Sequence, residues 1–359
     1  MELENRLKLI RQVGEEIVTE DELKNLLESK KTFVAYDGFE PSGTSVHIGQ
    51  GLLRAINVNR MTAAGCRFKM LVADWHAWAN NKMGGNLDNI QKVGKYLVEV
   101  WRACEMDLDN VEFVWANDMV TDREYWKKVM QVARNSTVKR VVRCGQIMGR
   151  KESEVLQASQ ILYPCMQCAD IFHLEADVCQ LGMDQRKVNV LAREIGPKLG
   201  WGKPVIVSHH MLMGLGKPVS SEKDATERAI EHKMSKSKPE TAIFMNDTEE
   251  EVTRKINNAY CPEGQIHENP ILEYCKYIIF EKSKSLKVER PEKWGGDIEF
   301  YSYHELQDSF KKKELHPMDL KKAVGIELNN LLEPIRKRLS HNKTAQKLEE
   351  EIKTFQITR

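Results

Sequence analysis

Short β-prone runs alternate with helical stretches through the first two thirds of this 359-residue chain. An alternation of this kind predicts βαβ units and a parallel sheet with helices packed on its faces. Sheets of that type bind ligands beyond the carboxyl ends of their strands. We therefore expect an α/β fold with its site along one edge of the sheet. The predicted strands cover residues 33–36, 68–74, 111–115, 176–182 and 205–208.

Polar residues follow three of these predicted strands, where the carboxyl ends of a parallel sheet would bring them together. They are Tyr36 and Gly38 after the first strand, Asp74 and His76 after the second, and Gly182, Asp184 and Gln185 after the fourth. Because the three groups lie far apart in sequence, their convergence indicates one shared site.

A first motif, His47-Ile48-Gly49-Gln50, lies between a turn-rich segment and the start of a predicted helix. A helix N-terminus presents backbone N–H groups and a partial positive charge to a phosphate. Gly49 lets a nucleotide approach the backbone closely. His47 can donate a hydrogen bond to an oxygen that gains negative charge. Alone, an H-x-G-x pattern is mostly a chance occurrence.

A second motif, Lys233-Met234-Ser235-Lys236-Ser237, places two ammonium groups and two hydroxyls close together. A compact, mobile cation cluster of this kind suits a triphosphate. A lysine–serine run by itself is usually a solvated loop. The two motifs in this order on one chain point to an enzyme that splits ATP at its α-phosphate.

We expect three regions along the chain. Residues 1–30 are predicted to be an N-terminal helical segment, because their apolar residues recur at helical spacing. The catalytic domain then covers residues 31–247; within it, residues 217–237 comprise a charged insert at 217–232, interpreted as an extension of a flap, and the lysine–serine loop. Residues 248–359 form a smaller α-helical domain without a clear strand. Its predicted helices cover residues 248–259, 270–280, 303–312, 317–330 and 331–355.

Composition narrows the class of protein. The formal net charge is +1, so any contact with nucleic acid has to come from local clusters of basic residues. No apolar run approaches the ~18 residues of a membrane-spanning helix, and residues 1–5 lack the apolar core of a signal peptide. The eight cysteines have no framework spacing. We expect a cytoplasmic protein with reduced thiols and no membrane or DNA partner.

The pair Cys165 and Cys168 forms a single C-x-x-C pattern. No second pair with matching spacing accompanies it, and the pattern lies inside the apolar stretch 161–174. Buried cysteines of a helix are therefore the preferred interpretation, and no protein-bound structural metal is expected.

Eight pieces of the sequence resemble the tyrosyl-tRNA synthetases of the archaeal/eukaryotic branch. They lie at residues 36–43, 47–50, 73–77, 163–170, 182–187, 233–237, 290–297 and 315–319. The resemblance implies a class I aminoacyl-tRNA synthetase with a Rossmann-type catalytic domain, a smaller α-helical anticodon-binding domain and a homodimeric assembly. It implies activation of L-tyrosine with ATP to tyrosyl-adenylate, followed by transfer of tyrosine to a terminal ribose hydroxyl of tRNA(Tyr).

The resemblance also implies residue roles for the amino acid. Tyr36 and Asp170 would bind the phenol, and Tyr163, Gln167 and Gln185 would hold the α-amino group. The remaining residues of the tyrosine pocket would be Gly38, Glu40, Ala73 and His76.

For ATP, the resemblance implies that the catalytic residues are His47, Gln50, Lys233 and Lys236, with His47 and Lys236 at the reacting phosphate. Gly182 and Asp184 would meet the ribose, and Leu212 and Met213 would cradle the adenine through backbone groups. The complete ATP site would comprise His47, Gly49, Gln50, Gly182, Asp184, Leu212, Met213, Lys233, Ser235, Lys236 and Ser237. Mg²⁺ would be carried on the phosphates.

For tRNA, the resemblance implies two groups of residues. Arg143, Arg186 and Lys187 would read the first acceptor base pair. Trp294, His316 and Asp319 would hold the anticodon, Trp294 by stacking on a base and Asp319 by accepting hydrogen bonds. The first motif departs from the family pattern, because it ends in Gln50 where many relatives have histidine.

Four alternatives stay open at this point. Tyr163, Gln167 and Asp170 follow i, i+4, i+7 spacing, which also describes a plain polar helix face. A tryptophanyl enzyme would share the architecture but would not need a phenol-binding pair. A catalytically silent RNA-binding or signalling protein would not need the ATP motifs. A small-molecule nucleotidyltransferase would have no use for Trp294, His316 and Asp319.

Overall fold

The computed structural model describes residues 2–148, 155–218 and 225–356. A six-stranded sheet in the order β1-β6-β5-β2-β3-β4 forms its centre, and a separate hairpin pairs β7 with β8. All neighbours in the large sheet are parallel except β1, which is antiparallel to β6. The strands are β1 (Gly14–Val18), β2 (Phe33–Phe39), β3 (Cys66–Val72), β4 (Val111–Trp115), β5 (Val178–Cys179), β6 (Val205–His209), β7 (Leu286–Val288) and β8 (Ile298–Phe300). The predicted α/β class and parallel sheet are confirmed.

Seventeen α-helices surround or follow the sheet in the described residues. They are α1 (Leu3–Val13), α2 (Glu20–Ser29), α3 (Arg54–Ala63), α4 (Asp74–Ala79), α5 (Leu87–Ala103), α6 (Ala116–Met119), α7 (Arg123–Arg134), α8 (Val138–Cys144), α9 (Ala158–His173), α10 (Arg186–Leu199), α11 (Ala225–His232), α12 (Glu249–Asn257), α13 (Pro270–Tyr274), α14 (Phe280–Lys282), α15 (Tyr303–Lys311), α16 (Pro317–His341) and α17 (Lys343–Lys353). Single turns of 3₁₀- or π-helix lie at Gly49–Leu53, Lys82–Gly85, Gly145–Met148, Met183–Gln185, Pro239–Thr241, Cys275–Ile279 and Glu292–Trp294.

Helices cover both faces of the sheet because successive strand residues point to opposite sides. Phe33, Ala35 and Phe39 of β2 pack with α1, α3 and α5 in one core. Tyr36 of β2 and Leu71 of β3 belong to a second core with α7, α8, α9 and α10. The first core continues into α12, α16 and α17, so the C-terminal helices pack against the same side of the molecule as α5.

The N-terminal segment is not purely helical, and the prediction of helices alone for residues 1–30 was wrong. After α1 the chain turns extended at Gly14 and forms β1, with Ile17 opposite Val207 and Val18 opposite Ile206. Ile17 lies four residues after Val13, which continues the helical spacing of α1 and conceals the strand. The second helix starts with a capping box in which Thr19 and Glu22 satisfy each other's backbone N–H groups.

The C-terminal region is mostly helical, as predicted, but contains one hairpin that the sequence did not predict. Strands β7 and β8 have three residues each, which is too short for a visible alternation. The two predicted helices at 317–330 and 331–355 are divided later, at Asn342. The Asn342 side chain accepts from the N–H groups of Thr344 and Ala345, and so begins α17. The domain boundary at residue 247 stays a prediction.

Two further features bear on the class of protein. Across the described ranges, no helix combines the length and apolar character needed to cross a membrane. All eight cysteines are free and buried. Cys165 and Cys168 lie within α9, and burial raises the pKa of Cys165 to about 11.

Candidate active site

One face of α9 carries the three side chains whose spacing indicated an amino-acid pocket. Tyr163, Gln167 and Asp170 are all buried. The Gln167 amide donates to the side-chain oxygen of Gln185 at 3.0 Å, and the Gln185 amide donates to the Ile147 carbonyl at 3.2 Å. The structure therefore joins the helix face to the loop after β5, as the strand-end argument predicted.

Asp170 occupies the inner end of this face. Its Oδ1 atom accepts from the Tyr125 hydroxyl at 2.9 Å, and its Oδ2 atom lies 2.9 Å from His76 Nε2. Burial disfavours the His76 imidazolium, but the Asp170 charge outweighs it and raises the pKa of His76. Apart from this ion pair, the buried Asp170 Oδ2 atom accepts no hydrogen bond of good geometry from the residues that the structure describes. Such an atom marks a place for a ligand donor.

The Tyr36 hydroxyl belongs to the same pocket. Its ring is buried, and burial together with the Asp170 charge raises its pKa well above the usual value. Tyr36 thus stays protonated and can donate a hydrogen bond. The sequence did not single out Tyr125, because its spacing with Val129 and Val132 on α7 gives only a core face.

His47 begins a tight turn that leads into α3. Its Nδ1 atom accepts from the Gln50 backbone N–H at 3.3 Å. Burial and the positive charges of Lys236, Lys233 and Arg54 lower the pKa of His47 well below its usual value. The ring is therefore neutral, and because Nδ1 is an acceptor, Nε2 carries the proton and can donate. The turn itself is π-helical, a form often found at functional sites.

Two contacts near His47 were not predicted from the sequence. The Trp101 indole N–H donates to the Gln50 carbonyl at 2.8 Å and so fixes the end of the motif. Arg54 Nε lies 3.2 Å from Asp37, and burial raises the pKa of Asp37 to about 6 despite this cation. The Arg54 charge also lowers the pKa of His47, so it adds positive potential at this site.

The lysine–serine loop is fixed at both ends by backbone pairing. At its start, Gly214 N–H donates to the His232 carbonyl at 2.9 Å, and Met234 N–H, within the motif, donates to the Leu212 carbonyl at 2.7 Å. After it, Ile48 N–H donates to the Ile243 carbonyl at 2.9 Å. The second motif is therefore attached to the loop after β6 and to the first motif.

Both lysines of this loop contact residues that precede the loop in the chain. Lys233 Nζ lies 2.8 Å from Asp184; burial opposes ionisation of Asp184, but this ion pair lowers its pKa. Lys236 donates to the Ser42 carbonyl. Burial lowers the pKa of Lys236 to about 8. The hydroxyls of Ser235 and Ser237 lie 2.9 Å apart.

The backbone of Met213 already has partners within the protein. Its N–H donates to Glu273 at 3.0 Å, and its carbonyl accepts from the Tyr274 hydroxyl at 3.1 Å. Glu273 also lies 3.0 Å from His210 Nε2. The predicted adenine cradle at Leu212 and Met213 is thus held by α13.

Three glycines of the predicted site lie where the chain is crowded. A Cβ on Gly49 would come within 3.2 Å of His47 Nδ1, and a Cβ on Gly182 within 2.8 Å of Asp184 Oδ1. A Cβ on Gly38 would lie 3.1 Å from the Tyr36 hydroxyl. Side chains at these positions would fill space beside the predicted ligand groups.

The other pocket residues also lie at this edge of the sheet. Ala73 directly follows β3 and is buried. Glu40 accepts from the Asn80 amide at 2.9 Å and lies 3.8 Å from the Lys82 ammonium nitrogen. Asp74 begins α4 and accepts from the Gln91 amide at 2.9 Å.

The residues predicted to contact tRNA fall into two separate places. Arg143 lies in the last turn of α8, and Arg186 and Lys187 begin α10, which packs against α8. Arg186 Nε lies 2.7 Å from Glu16 of β1. This group adjoins Gln185 and so borders the pocket.

The second place lies at the hairpin of β7 and β8. Trp294 is 66% exposed in the turn between these strands. Arg290 donates to the Gly296 and Glu314 carbonyls at 2.9 and 3.0 Å, which brings that turn beside the start of α16. His316 caps α16 through Nδ1, and Asp319 lies in its first turn. The structure therefore brings these three residues to one surface.

Two expectations cannot be compared with the geometry in full. Part of the charged insert, residues 219–224, lies outside the described residues. Among the described residues, no group of three or more His, Cys, Asp or Glu side chains is placed to hold a metal ion.

Comparison with known proteins identifies the class to which this site belongs. A family model described as class I tRNA synthetases (W and Y) matches residues 28–333. The chain therefore belongs to the class I tRNA synthetases that serve tryptophan and tyrosine.

Within that family, the similarity is to the tyrosyl enzymes. The chain is 50% identical over 361 residues to the cytoplasmic tyrosine–tRNA ligases 1 and 2 of Arabidopsis thaliana, with 100% of this chain covered in both. It spans 90% of ligase 1 but only 46% of ligase 2. It also matches the crystal structure of the Pyrococcus horikoshii tyrosyl-tRNA synthetase in complex with L-tyrosine. That match has a TM-score of 0.90 and 36% identity, and covers 98% of this chain and 100% of that one.

Proposed function

We propose that this protein is a tyrosine–tRNA ligase, which forms tyrosyl-adenylate from L-tyrosine and ATP and then transfers tyrosine to tRNA(Tyr). The observation that carries the proposal is the buried Asp170 carboxylate, which lies near the Tyr36 hydroxyl and whose Oδ2 atom accepts no hydrogen bond from residues 2–148, 155–218 and 225–356. A phenol supplies a donor for the carboxylate and an acceptor for the hydroxyl. An indole N–H supplies only the donor, so the pair favours tyrosine over tryptophan.

The distance that the three pocket residues of α9 span matches the length of one amino acid. Asp170, Gln167 and Tyr163 extend over about 10 Å along the helix axis at 1.5 Å per residue. Asp170 would bind the phenol at the inner end, and Gln167 and Tyr163, with Gln185, would bind the α-amino group further out. Gly38, Glu40, Ala73 and His76 would complete the pocket.

In the first reaction step, the tyrosine carboxylate attacks the α-phosphorus of ATP. The bond from that phosphorus to the bridging oxygen breaks, and pyrophosphate leaves. A carboxylate is already a nucleophile, so no general base is needed, and catalysis consists of positioning and stabilisation of phosphate charge. Neutral His47 would donate from Nε2 to a phosphate oxygen, and Lys236 and Lys233 would supply positive charge, with Gln50 as a further donor.

The ATP site would extend from these groups along the loop edges. Gly49 would lie against the phosphates, with Ser235 and Ser237 beside them. Gly182 and Asp184 would meet the ribose, and Leu212 and Met213 the adenine. Mg²⁺ would arrive bound to the ATP phosphates and neutralise part of their charge. Lys233, assigned to the phosphates, and Asp184, assigned to the ribose, form an ion pair and therefore lie side by side.

In the second step, a terminal ribose hydroxyl of tRNA(Tyr) attacks the adenylate carbonyl, and AMP leaves. Arg143, Arg186 and Lys187 border the pocket and would hold the acceptor end. Trp294 in the hairpin turn, with His316 and Asp319 at the start of α16, would hold the anticodon. Two separate groups, one at α8 and α10 and one at the hairpin and α16, suit a ligand with the length of a tRNA.

We also propose a homodimer that acts in the cytoplasm. Helices α7, α8 and α9 pack together and expose Met130, Val138 and Leu162 by 55, 69 and 41%. Exposed apolar side chains grouped on neighbouring helices are typical of a protein interface. A chain that sediments as a monomer at micromolar concentration would contradict the dimer.

Tyrosine-dependent exchange of pyrophosphate into ATP tests the first step. We expect exchange with tyrosine and none above background with tryptophan or phenylalanine. Exchange stimulated only by tryptophan would overturn the proposal, and so would RNA binding without any exchange. Charging of tRNA(Tyr) with labelled tyrosine then tests the second step.

The variants Lys236→Ala and His47→Ala test the assignment of the two motifs. Each should slow adenylate formation by about 100-fold or more, since one removed donor at a reacting centre has that effect. Tyrosine affinity should barely change, because neither group is placed in the amino-acid pocket. The exposed Lys238→Ala is the matched control and should keep full activity. Unchanged turnover in both test variants would refute the assignment.

A further inference from the structure

Tyr125 reaches the tyrosine pocket from α7, and its ring is completely buried. The ring packs edge-on against Trp126 and His173, with centroid distances of 5.6 and 5.3 Å. Asp122 fixes the start of α7 by accepting from the Glu124 N–H at 2.9 Å. The Tyr125 hydroxyl is therefore held in place before any substrate binds, and it donates to Asp170 Oδ1 at 2.9 Å.

This contact gives the two oxygens of Asp170 different tasks. Oδ1 accepts a well-aligned hydrogen bond from Tyr125, whereas Oδ2 is buried and accepts none of that geometry from the described part of the chain. His76 Nε2 lies 2.9 Å from Oδ2 and forms an ion pair with it. One oxygen thus orients the carboxylate, and the other is left for a ligand.

We infer that Tyr125 is a specificity-determining positioning residue, which fixes the rotation of the Asp170 carboxylate and so leaves Oδ2 as the acceptor for a substrate hydroxyl. This inference rests on the proposed function, since the substrate hydroxyl is the phenol of tyrosine. Tyr125 itself acts through Asp170 and does not need to touch the substrate.

Charge and burial support this role. Burial and the Asp170 charge raise the pKa of Tyr125 well above its usual value, so its hydroxyl remains a donor. A carboxylate held in one orientation cannot turn to find another donor when phenylalanine occupies the pocket. A site built for a substrate hydroxyl rejects the analogue that lacks it for this reason, and tyrosyl-tRNA synthetases are themselves the standard example of that rule.

The variant Tyr125→Phe removes one oxygen and keeps the ring. Without its donor, Asp170 can rotate and loses its preference for a hydroxyl at Oδ2. We expect kcat/KM for tyrosine in pyrophosphate exchange to fall by about 10- to 100-fold, the range for a lost hydrogen bond to a charged group. The change should appear mainly in KM. We expect kcat/KM for phenylalanine, measured at high enzyme concentration, to change less than about threefold.

The ratio of kcat/KM for tyrosine to kcat/KM for phenylalanine distinguishes a role in specificity from a purely structural role. A purely structural role would lower kcat/KM for tyrosine and phenylalanine equally, and that result would overturn the inference. The matched control is Tyr96→Phe, which removes a buried tyrosine hydroxyl from α5, away from this pocket. It should leave the ratio unchanged. A Tyr125→Phe protein that fails to melt cooperatively would also overturn the inference.

A double-mutant cycle with Asp170→Asn tests whether Tyr125 works through Asp170. If it does, the loss of discrimination in the double variant should be close to that of Asp170→Asn alone. Additive losses would contradict the inference. Absence of tyrosine-dependent exchange in the unmodified protein would instead refute the proposed function, so the two failures are distinguishable.

Discussion

Lys255 and Asp247 form an ion pair inside the protein, with 2.7 Å between the lysine nitrogen and the carboxylate oxygen. Lys255 lies on α12, and Asp247 lies just beyond the lysine–serine loop. The same carboxylate accepts from the Phe244 N–H at 2.8 Å, and Lys255 also donates to the Ala242 carbonyl at 3.0 Å. Because residues 243–245 pair with the backbone around His47, this ion pair connects the C-terminal helices to the predicted ATP site.

Removal of one partner of this pair should strongly destabilise the protein. In Lys255→Met, the buried Asp247 carboxylate loses its cation, so we expect the free energy of unfolding to fall by about 3–5 kcal/mol. Urea denaturation followed by circular dichroism measures this change. The matched control is Lys127→Met, which breaks the exposed pair with Glu124 and should cost about 0.5 kcal/mol or less. Similar losses in the two variants would contradict the argument.

His210 should make stability depend on pH at neutral and alkaline values. It lies between Glu15 at 3.2 Å and Glu273 at 3.0 Å, stacks on Tyr277, and has Lys276 near that ring. Burial opposes its charge, but the two carboxylates raise the pKa of His210 to about 9 from 6.5.

The direction of the change in stability with pH follows from this raised pKa. The unfolded chain loses the His210 proton near pH 6.5, whereas the folded chain keeps it to about pH 9. The stabilisation is therefore complete below pH 6.5 and disappears between pH 6.5 and 9, by up to about 3 kcal/mol. Urea denaturation at pH 6, 7.5 and 9.5 should reveal the loss, and His210→Gln should flatten it. The control variant His304→Gln changes an exposed histidine and should keep the pH dependence of the unmodified protein. If stability changes equally with pH in all three proteins, His210 is not the cause.

Gly196 on α10 has no room for a side chain. An added Cβ would lie 2.3 Å from the Gly202 carbonyl and 2.7 Å from the Phe172 ring. The Gly202 carbonyl belongs to the backbone and cannot move aside as a flexible side chain can. Gly196→Ala should therefore destabilise the protein by about 1–3 kcal/mol. The control is Gly325→Ala on α16, where the nearest atom is 3.8 Å away. That change should be neutral or stabilising by up to about 1 kcal/mol. Thermal melts of both variants make the comparison, and a stable Gly196→Ala protein would contradict it.

The sequence predicted the parallel sheet because its strands are buried on both faces and read as apolar runs bounded by turn residues. It predicted the site because polar residues at strand ends have to meet at one edge of such a sheet. The helix spacing of Tyr163, Gln167 and Asp170 needed no tertiary information either. These inferences depend only on local geometry.

The remainder depends on tertiary contacts that local patterns do not contain. Strand β1 was missed since its residues continue the helical spacing of α1. Tyr125 looks like any core residue until its hydroxyl is seen to reach Asp170. The engagement of the Met213 backbone by Glu273 joins residues 60 positions apart. No periodicity predicts a contact of that kind.

Lys236 should give the first reaction step a characteristic pH dependence. Burial lowers the pKa of Lys236 to about 8, and only the protonated amine can stabilise a phosphate. We therefore expect kcat/KM for ATP to fall as pH rises through about 8, since this parameter reports the free enzyme. In the complex, the triphosphate charge favours the protonated amine, so kcat should fall only at higher pH.

The variant Lys236→Arg provides the control for this titration. Arginine stays charged throughout the accessible pH range, so the decrease near pH 8 should be absent even if the rate is lower. Pyrophosphate exchange between pH 6.5 and 9.5 at constant ionic strength measures both profiles. A decrease near pH 8 that persists in Lys236→Arg would assign the titration to another group.

Trp294 should affect tRNA charging and leave tyrosine activation unchanged. It is exposed in the hairpin turn, which Arg290 links to Glu314 just before α16. An aromatic ring that stacks on a base contributes about 1–3 kcal/mol, so Trp294→Ala should raise KM for tRNA(Tyr) by about 10- to 100-fold. Trp294→Phe should restore part of the affinity because it keeps a stacking face. Pyrophosphate exchange should be unaffected in both variants.

The matched control is Tyr301→Ala, which removes an equally exposed aromatic side chain near the end of β8. This variant should charge tRNA(Tyr) with tyrosine at the normal rate. Equal effects of Trp294→Ala and Tyr301→Ala would show that the loss comes from general disturbance of the hairpin, whereas an effect of Trp294→Ala on exchange would contradict the separation of the two surfaces.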